Sequence, residues 1–227
     1  MKPKYHSFSL VLFVIAILTA TAHNTLSIEK YKGRAWKDSI QQIPGKIQCE
    51  FYDQGGEGIA YHDSDSINNG SGKLNPSDGG YLNEFRKREG VDISYTKFRN
   101  PPIDNNAFNI VEPIVNQLYE GWTVPGEWIN YTVEVNITGT YDVAIMYTAS
   151  GDGGILLEID GKPLTSVLLI PSTRNDKEPV AWRQWHHWNQ IEKLTRVKLK
   201  KGIHVLTLKT VENGNMNYDY LDFTLIN

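Results

Sequence analysis

The chain has 227 residues, 40% of them hydrophobic, and a formal net charge of -3 at pH 7. That balance speaks against a nucleic-acid partner, because phosphate binding draws on a concentrated basic surface. Once a leader is set aside, about 200 residues remain, enough to bury one core without a second domain.

Residues 1–22 carry a basic start at Lys2 and Lys4, an apolar stretch from Leu10 to Leu18, and small residues at Ala20 and Ala22. This is the layout of a cleavable secretory signal, and it predicts a secreted protein whose mature chain begins near His23. The apolar run is far shorter than the roughly 20 residues a spanning helix needs. No later segment approaches it, so no membrane span is expected after cleavage. Residues 23–44 are polar, end in Ile43-Pro44-Gly45, and read as a leader or strap without regular structure of its own. The domain proper is expected over 45–227. Its single cysteine, Cys49, rules out an intrachain disulfide and lies in an apolar run as a small core residue, so stability must come from packing or bound metal.

From Lys46 onward, short runs of β-branched and aromatic residues are separated by Gly, Asn, Asp and Pro clusters. The clearest run is 128–137, where Ile129, Tyr131, Val133, Val135 and Ile137 alternate with polar residues. Thr138-Gly139 then turns the chain, and Tyr141, Val143, Ile145 and Tyr147 repeat the pattern, which predicts a hairpin between the two runs. Ile155, Leu157 and Ile159 continue it. The locally basic stretch 193–201 places Val197 and Leu199 between charged residues, as a strand with one solvated face does. Lys201-Gly202 links it to a strand at 203–210, and Leu221, Phe223 and Leu225 mark the last strand. No segment after the leader sustains a helical period. The fold class is all-β, expected as a β-sandwich jelly roll of two antiparallel sheets. Residues 68–83 and 100–115, rich in Asn, Gly, Pro and Ser, are long loops and candidate walls of a site.

Catalytic signatures are missing from the sequence. There is no Gly-x-Ser-x-Gly elbow, His-Glu-x-x-His helix or phosphate loop, and the many acids show no evident glycosidase pair. His186-His187 reads as two loop or surface histidines, since neighbours on a strand face opposite sides. Asp63-Ser64-Asp65 begins like a calcium loop but has Ile67 where an oxygen ligand belongs. Asn69, Asn130 and Asn136 head glycosylation sequons that matter only in a eukaryotic host. The aromatic inventory points to a function. Sugar rings stack their C–H faces on aromatic side chains while their hydroxyls bond planar polar groups. Trp182, Trp185 and Trp188 cluster with Arg183 and Gln184, and Asn213, Asn215, Asn217, Asp219 and Tyr220 cluster near the end.

Several segments in order resemble the family 6 carbohydrate-binding modules. They are Ile47-Gln48-Cys49-Glu50-Phe51-Tyr52-Asp53 with Gly55-Gly56-Glu57-Gly58, then Phe85-Arg86 leading to Gly90-Val91-Asp92-Ile93. Gly121-Trp122-Thr123, Gly126-Glu127-Trp128, Trp182-x-x-Trp185 and Asn217-Tyr218-Asp219-Tyr220-Leu221-Asp222-Phe223 complete the match over about 45–226. The resemblance implies a non-catalytic sandwich that holds polysaccharide or oligosaccharide in a loop cleft, and the chain would act beside glycoside hydrolases. It implies Phe85 and Trp182 as stacking rings, Asn217 as hydrogen-bonding amide and Glu57 as a further contact, with Trp185 in the core. Phe85 stands where the family usually has Tyr. The resemblance also implies a structural calcium held by Gln48, Glu50 and Asp222, where Gln48 replaces a common acid. Two other readings remain open: an accessory or weak hydrolase with Glu57 or Glu127 as acid, and an adhesive surface protein with a vestigial cleft. The segments 70–83 and 99–116 are longer than the family's loops, so ligand identity does not transfer.

Overall fold

A computed structural model of the protein describes residues 28–226. The secretory signal expected at 1–22 lies outside the described residues. Period-two alternation of apolar and polar side chains builds two sheets that pack face to face. The first contains, in spatial order, β1 (Gln41–Ile43), β6 (Trp128–Val135), β12 (Gly202–Glu212), β8 (Gly153–Ile159) and β10 (Leu168–Ile170). β3 (Tyr61–His62) adds to β6, and β9 (Lys162–Pro163) adds to β8. The second sheet runs β11 (Asn189–Leu199), β7 (Gly139–Ala149), β13 (Met216–Leu225), β5 (Leu118–Glu120) and β4 (Ile93–Tyr95), with β2 (Gly45–Gln48) beside β13. Every pairing is antiparallel except that of β1 with β6. The all-β sandwich expected from the sequence is the observed fold. β6, β7 and β8, and again β11, β12 and β13, alternate between the sheets in the winding of a jelly roll.

That winding corrects one expectation. The runs at 128–137 and 139–147 do not form a hairpin: β6 pairs with β12, and β7 pairs with β11 and β13. Both runs carry a fully apolar inner face, and the turn between them crosses from one sheet to the other so that these faces bury each other. Ile137, read as the last inward residue, is 50% exposed because β6 ends at Val135. The leader was expected to lack regular structure, yet it supplies β1, and its Trp36 packs on Phe85.

Tyr131 and Val133 on β6, Leu206 and Leu208 on β12, and Tyr141, Val143, Ile145 and Tyr147 on β7 meet Met216, Tyr218, Leu221 and Phe223 of β13 in the core. Cys49 is fully buried among them. Asn130 is buried too, with its amide bonded to the Ile59 carbonyl and the Thr207 hydroxyl. On β7 the alternation breaks, since Ala144, Met146 and Thr148 on its outer face are buried as well. A second cluster of Tyr119, Met146, Trp188 and Tyr220, with Val111 packed on it, covers this outer face. The long tract 100–115 and the turn before β11 are therefore held against the second sheet rather than left in solvent. The candidate site is built in this covering layer.

Candidate functional site

A cavity of about 460 Å³ opens beside β4 and β5 on the outer side of the second sheet. Tyr95, Tyr119, Trp122, Trp182 and Trp185 give it an aromatic lining, and Ser94, Lys97 and His186 supply polar groups. Leu74 from the first long loop and Pro101 and Ile103 from the second complete the wall, so both loops marked in the sequence reach the site. Trp182 stands on the short 3-10 turn Ala181–Arg183 and is 58% exposed, the most open of these rings. Arg183 holds that turn in place, because its guanidinium donates to the Pro102 carbonyl and pairs with buried Glu178.

The floor is a chain of buried polar groups. Asn217, on the outer face of β13, accepts from the Trp122 backbone N–H at 3.0 Å through its Oδ1. Its Nδ2 donates to the Thr148 hydroxyl at 2.8 Å and to His186 Nδ1 at 3.2 Å. Since Nδ1 accepts that bond, the ring proton lies on Nε2 and donates to Asp104 Oδ1 at 2.8 Å. Asp104 is fully buried, and it also accepts from Trp188 Nε1 at 2.7 Å and from the Lys97 N–H at 2.6 Å. A single carboxylate from the long loop thus ties the end of β4 to the turn before β11 behind the cavity. Both nitrogens of His186 are occupied by protein, which leaves the ring to shape the floor rather than to move protons.

Trp122 takes a left-handed backbone conformation, φ 50°, which is unfavourable for a bulky side chain. The Asn217 amide holds it there. Gly121 makes the approach possible: a Cβ at this position would meet Asn217 Oδ1 at 3.0 Å and the Tyr119 ring at 3.3 Å.

Of the four residues expected to contact ligand, Trp182 alone lines the cavity. Asn217 lies directly beneath it but is fully buried, with its amide committed to Trp122, Thr148 and His186. Phe85 is a correction. It is 4% exposed and sealed between Trp36, Phe51 and Tyr81 as part of the core. The leader residue Trp36 and the inserted loop residue Tyr81 supply two of those covering rings. Glu57 is exposed but apart from the aromatic cavity, where it bonds His62 Nδ1 at 2.5 Å and the Asp63 N–H at 3.1 Å. His186 and His187 lie in a loop, one of the two placements read for them, but both are buried rather than at the surface. Trp185, expected in the core, lines the cavity, and Trp188 takes the core position instead. Sequence reasoning missed Tyr95, Tyr119, Trp122 and Asp104. A signal existed for Trp122 in the Gly121-Trp122-Thr123 motif, but none for Asp104 in its irregular loop.

A second, acidic pocket of about 280 Å³ adjoins the cavity, and Leu74 and Trp122 form part of both walls. Asp63, Asp65, Asp92 and Glu127 line it. Burial pushes the Asp63 carboxyl up to about 6 and that of Asp92 up to about 7, with neighbouring carboxylates adding to both shifts. Glu127 is fixed by the backbone N–H groups of Ser64 at 3.0 Å and Val124 at 2.6 Å.

The residues expected to hold calcium come together in part. Gln117 Nε2 donates to Gln48 Oε1 at 3.3 Å and to Glu50 Oε1 at 3.0 Å, which brackets the two side chains. Glu50 is buried with its Oε2 unpartnered, and its carboxyl is raised first by burial and then by the nearby charge of Asp219. Asp219 is buried with Oδ1 unpartnered, and burial pushes it up to about 7. Asp222 instead stands further along β13 opposite Lys46. The β-bulge between Tyr218 and Tyr220 turns Asp219 out of the strand rhythm. Two orphaned carboxylate oxygens beside an amide oxygen fit a hard cation.

No family model matches the chain, and no curated protein matches it. Solved structures do, and the resemblance read from the sequence recurs among them. A family 6 carbohydrate-binding module from Clostridium stercorarium in complex with cellobiose is similar at 12% identity and a TM-score of 0.46, over 83% of this chain and 98% of that one. A family 35 module from Clostridium thermocellum is similar at 17% identity and a TM-score of 0.38, over 52% of this chain and 84% of that one. A glycoside hydrolase family 43 arabinoxylan arabinofuranohydrolase from Bacillus subtilis in complex with cellotetraose is similar at 14% identity and a TM-score of 0.47. The match covers 83% of this chain but spans only 28% of the hydrolase.

Proposed function

We propose that this chain is a secreted, non-catalytic protein that binds oligosaccharide or polysaccharide in the aromatic cavity. The observation that carries the reading is an exposed indole, Trp182, set at the mouth of a hollow already lined with four further aromatic rings. Such a surface stays wet and unsatisfied until a flat apolar face covers it, and a sugar ring offers that face together with hydroxyls for Ser94 and Lys97. The volume is within the range of small-ligand sites. Hydrolysis would need two opposed carboxylates at the scissile bond, and the lining of the aromatic cavity includes none. Of the acids named as candidates, Glu57 bonds His62 and Glu127 is held by two backbone N–H groups. A role beside glycoside hydrolases suits a recognition module of this kind.

Titration of the pure protein against a panel of neutral, acidic and amino oligosaccharides tests the reading. Saturable binding without release of reducing sugar is the expected result. Absence of binding across the panel, or hydrolysis abolished by Glu57→Gln or Glu127→Gln, would sink it.

The calcium site belongs to the same proposal as a structural element. Gln48, Glu50 and Asp219 would hold the ion with nearby carbonyls, and the ion would neutralise two buried acids where the first strand of the domain meets the last. Chelation is then expected to lower the melting temperature by roughly 5–10 °C relative to calcium at a hundred times its Kd. Glu50→Gln should erase that difference. An unchanged melting temperature on chelation and re-addition would remove calcium from the account.

A further inference from the structure

We infer that the ligand of the aromatic cavity carries an anionic substituent, a carboxylate or a sulfate ester, which Lys97 and Arg99 receive. This rests on the reading of the cavity as a carbohydrate site and narrows its ligand class to acidic saccharides. A further hollow of about 460 Å³ adjoins the cavity, and Tyr95 and Lys97 belong to both walls. Arg99 lines the further hollow, where it is exposed. Among the described residues, the two hollows together are lined by one lysine, one arginine and no carboxylate.

Lys97 is held at the junction as a donor. Its Nζ lies 4.7 Å from the centre of the Tyr95 ring and donates to Asn75 Oδ1 at 2.5 Å. Asn75 is fully buried and also accepts from the Ser94 hydroxyl at 3.1 Å, so the group that positions the ammonium is itself fixed. An ammonium has three protons to give. Among the described residues, neither Lys97 nor Arg99 forms an ion pair. Burial pushes the half-buried Lys97 ammonium below its ordinary range, and the charge of Asp104 offsets this only in part. The Asp104 oxygens already serve His186, Trp188 and the Lys97 backbone N–H. A ligand anion at the shared wall would supply the charge that the protein leaves out.

The surrounding charges also fix which way the saccharide runs. The acidic pocket shares Leu74 and Trp122 with the aromatic cavity but no residue with the hollow at Arg99. The cavity therefore joins a basic hollow to an acidic one, and an acidic sugar is drawn to the Lys97 wall and repelled from the wall of Asp63 and Asp92. A ring stacked on the tryptophans between them then has one favourable direction. Two cations suit isolated charges along a saccharide rather than a dense polyanion, in keeping with the net charge of -3.

The test is calorimetric titration of the full chain with matched pairs of tetrasaccharides: a β-1,4 mannuronate oligomer against the β-1,4 mannose oligomer, and a sulfated galactan oligomer against its desulfated form. One acidic member is expected to bind about tenfold more tightly than its neutral counterpart, and the pair that shows this tells carboxylate from sulfate ester. Added sodium chloride should narrow that gap, because it screens the charge and leaves the stacking. Lys97→Met should bring the acidic sugar down to its neutral counterpart. Arg99→Ala, at an exposed position, should reduce the preference and decides the matter if the first variant folds poorly. Trp182→Ala should weaken both members of the pair together. Neutral oligomers binding as well as the acidic ones would overturn the inference and leave the cavity reading standing, while failure of all four to bind would overturn both. A preference for the acidic member that survives Lys97→Met and Arg99→Ala would place the anion elsewhere and also overturn it.

Discussion

Replacing Trp182 with alanine is expected to weaken oligosaccharide binding by about thirtyfold or more, the equivalent of about 2 kcal/mol, while leaving thermal unfolding unchanged. The two halves of this result have separate causes. The indole is more than half exposed and rests on a short turn anchored by Arg183, so removing it opens no cavity in the core and costs the fold little. It is also the most exposed ring of the cavity, the one a sugar face would cover first. Calorimetry against a bound oligosaccharide and a melting curve together check both halves. Normal affinity in Trp182→Ala would show that the ligand sits elsewhere, and a large fall in melting temperature would mean that the residue supports structure instead.

Phe85→Ala is expected to do the opposite. Its ring is enclosed by Trp36, Phe51 and Tyr81, with centroids 5.3, 6.0 and 5.3 Å away. Truncation would lose the buried aromatic surface and leave a void that three large rings cannot easily refill, a cost of about 4 kcal/mol. Urea unfolding should show the midpoint falling with little change in slope. Oligosaccharide affinity of the folded fraction should stay at the level of the parent chain. Weakened binding with unfolding unaltered would return Phe85 to the ligand site.

These two residues show how far the sequence could be read. Strand rhythm identified the sheets because inner-face alternation is set by burial on one side, and β6, β7, β8, β12 and β13 all carry it. Pairing was less legible. Alternation says which face is buried but not which strand lies beside it, so the turn at Thr138-Gly139 looked like a hairpin although it passes between sheets. The exposure of Trp182 was legible, since the ring stands on a polar turn, and that of Phe85 was misleading, because its covering residues come from the leader and from an inserted loop. The bulge that takes Asp219 out of the register of β13 is announced by no periodicity. The network from Asp104 through His186 to Asn217 joins residues up to 113 positions apart, and nothing local in the chain marks them as partners.

The short leader strand β1 lies parallel along the rim of the first sheet, with Gln41, Gln42 and Ile43 opposite Val133, Glu134 and Val135. Without it, that part of β6 would present a bare row of amide and carbonyl groups, the kind of template on which another extended chain can lay itself down. Trimming the protein at residue 45 would bare this edge and is expected to promote self-association, which sizing of the shortened chain in solution would reveal.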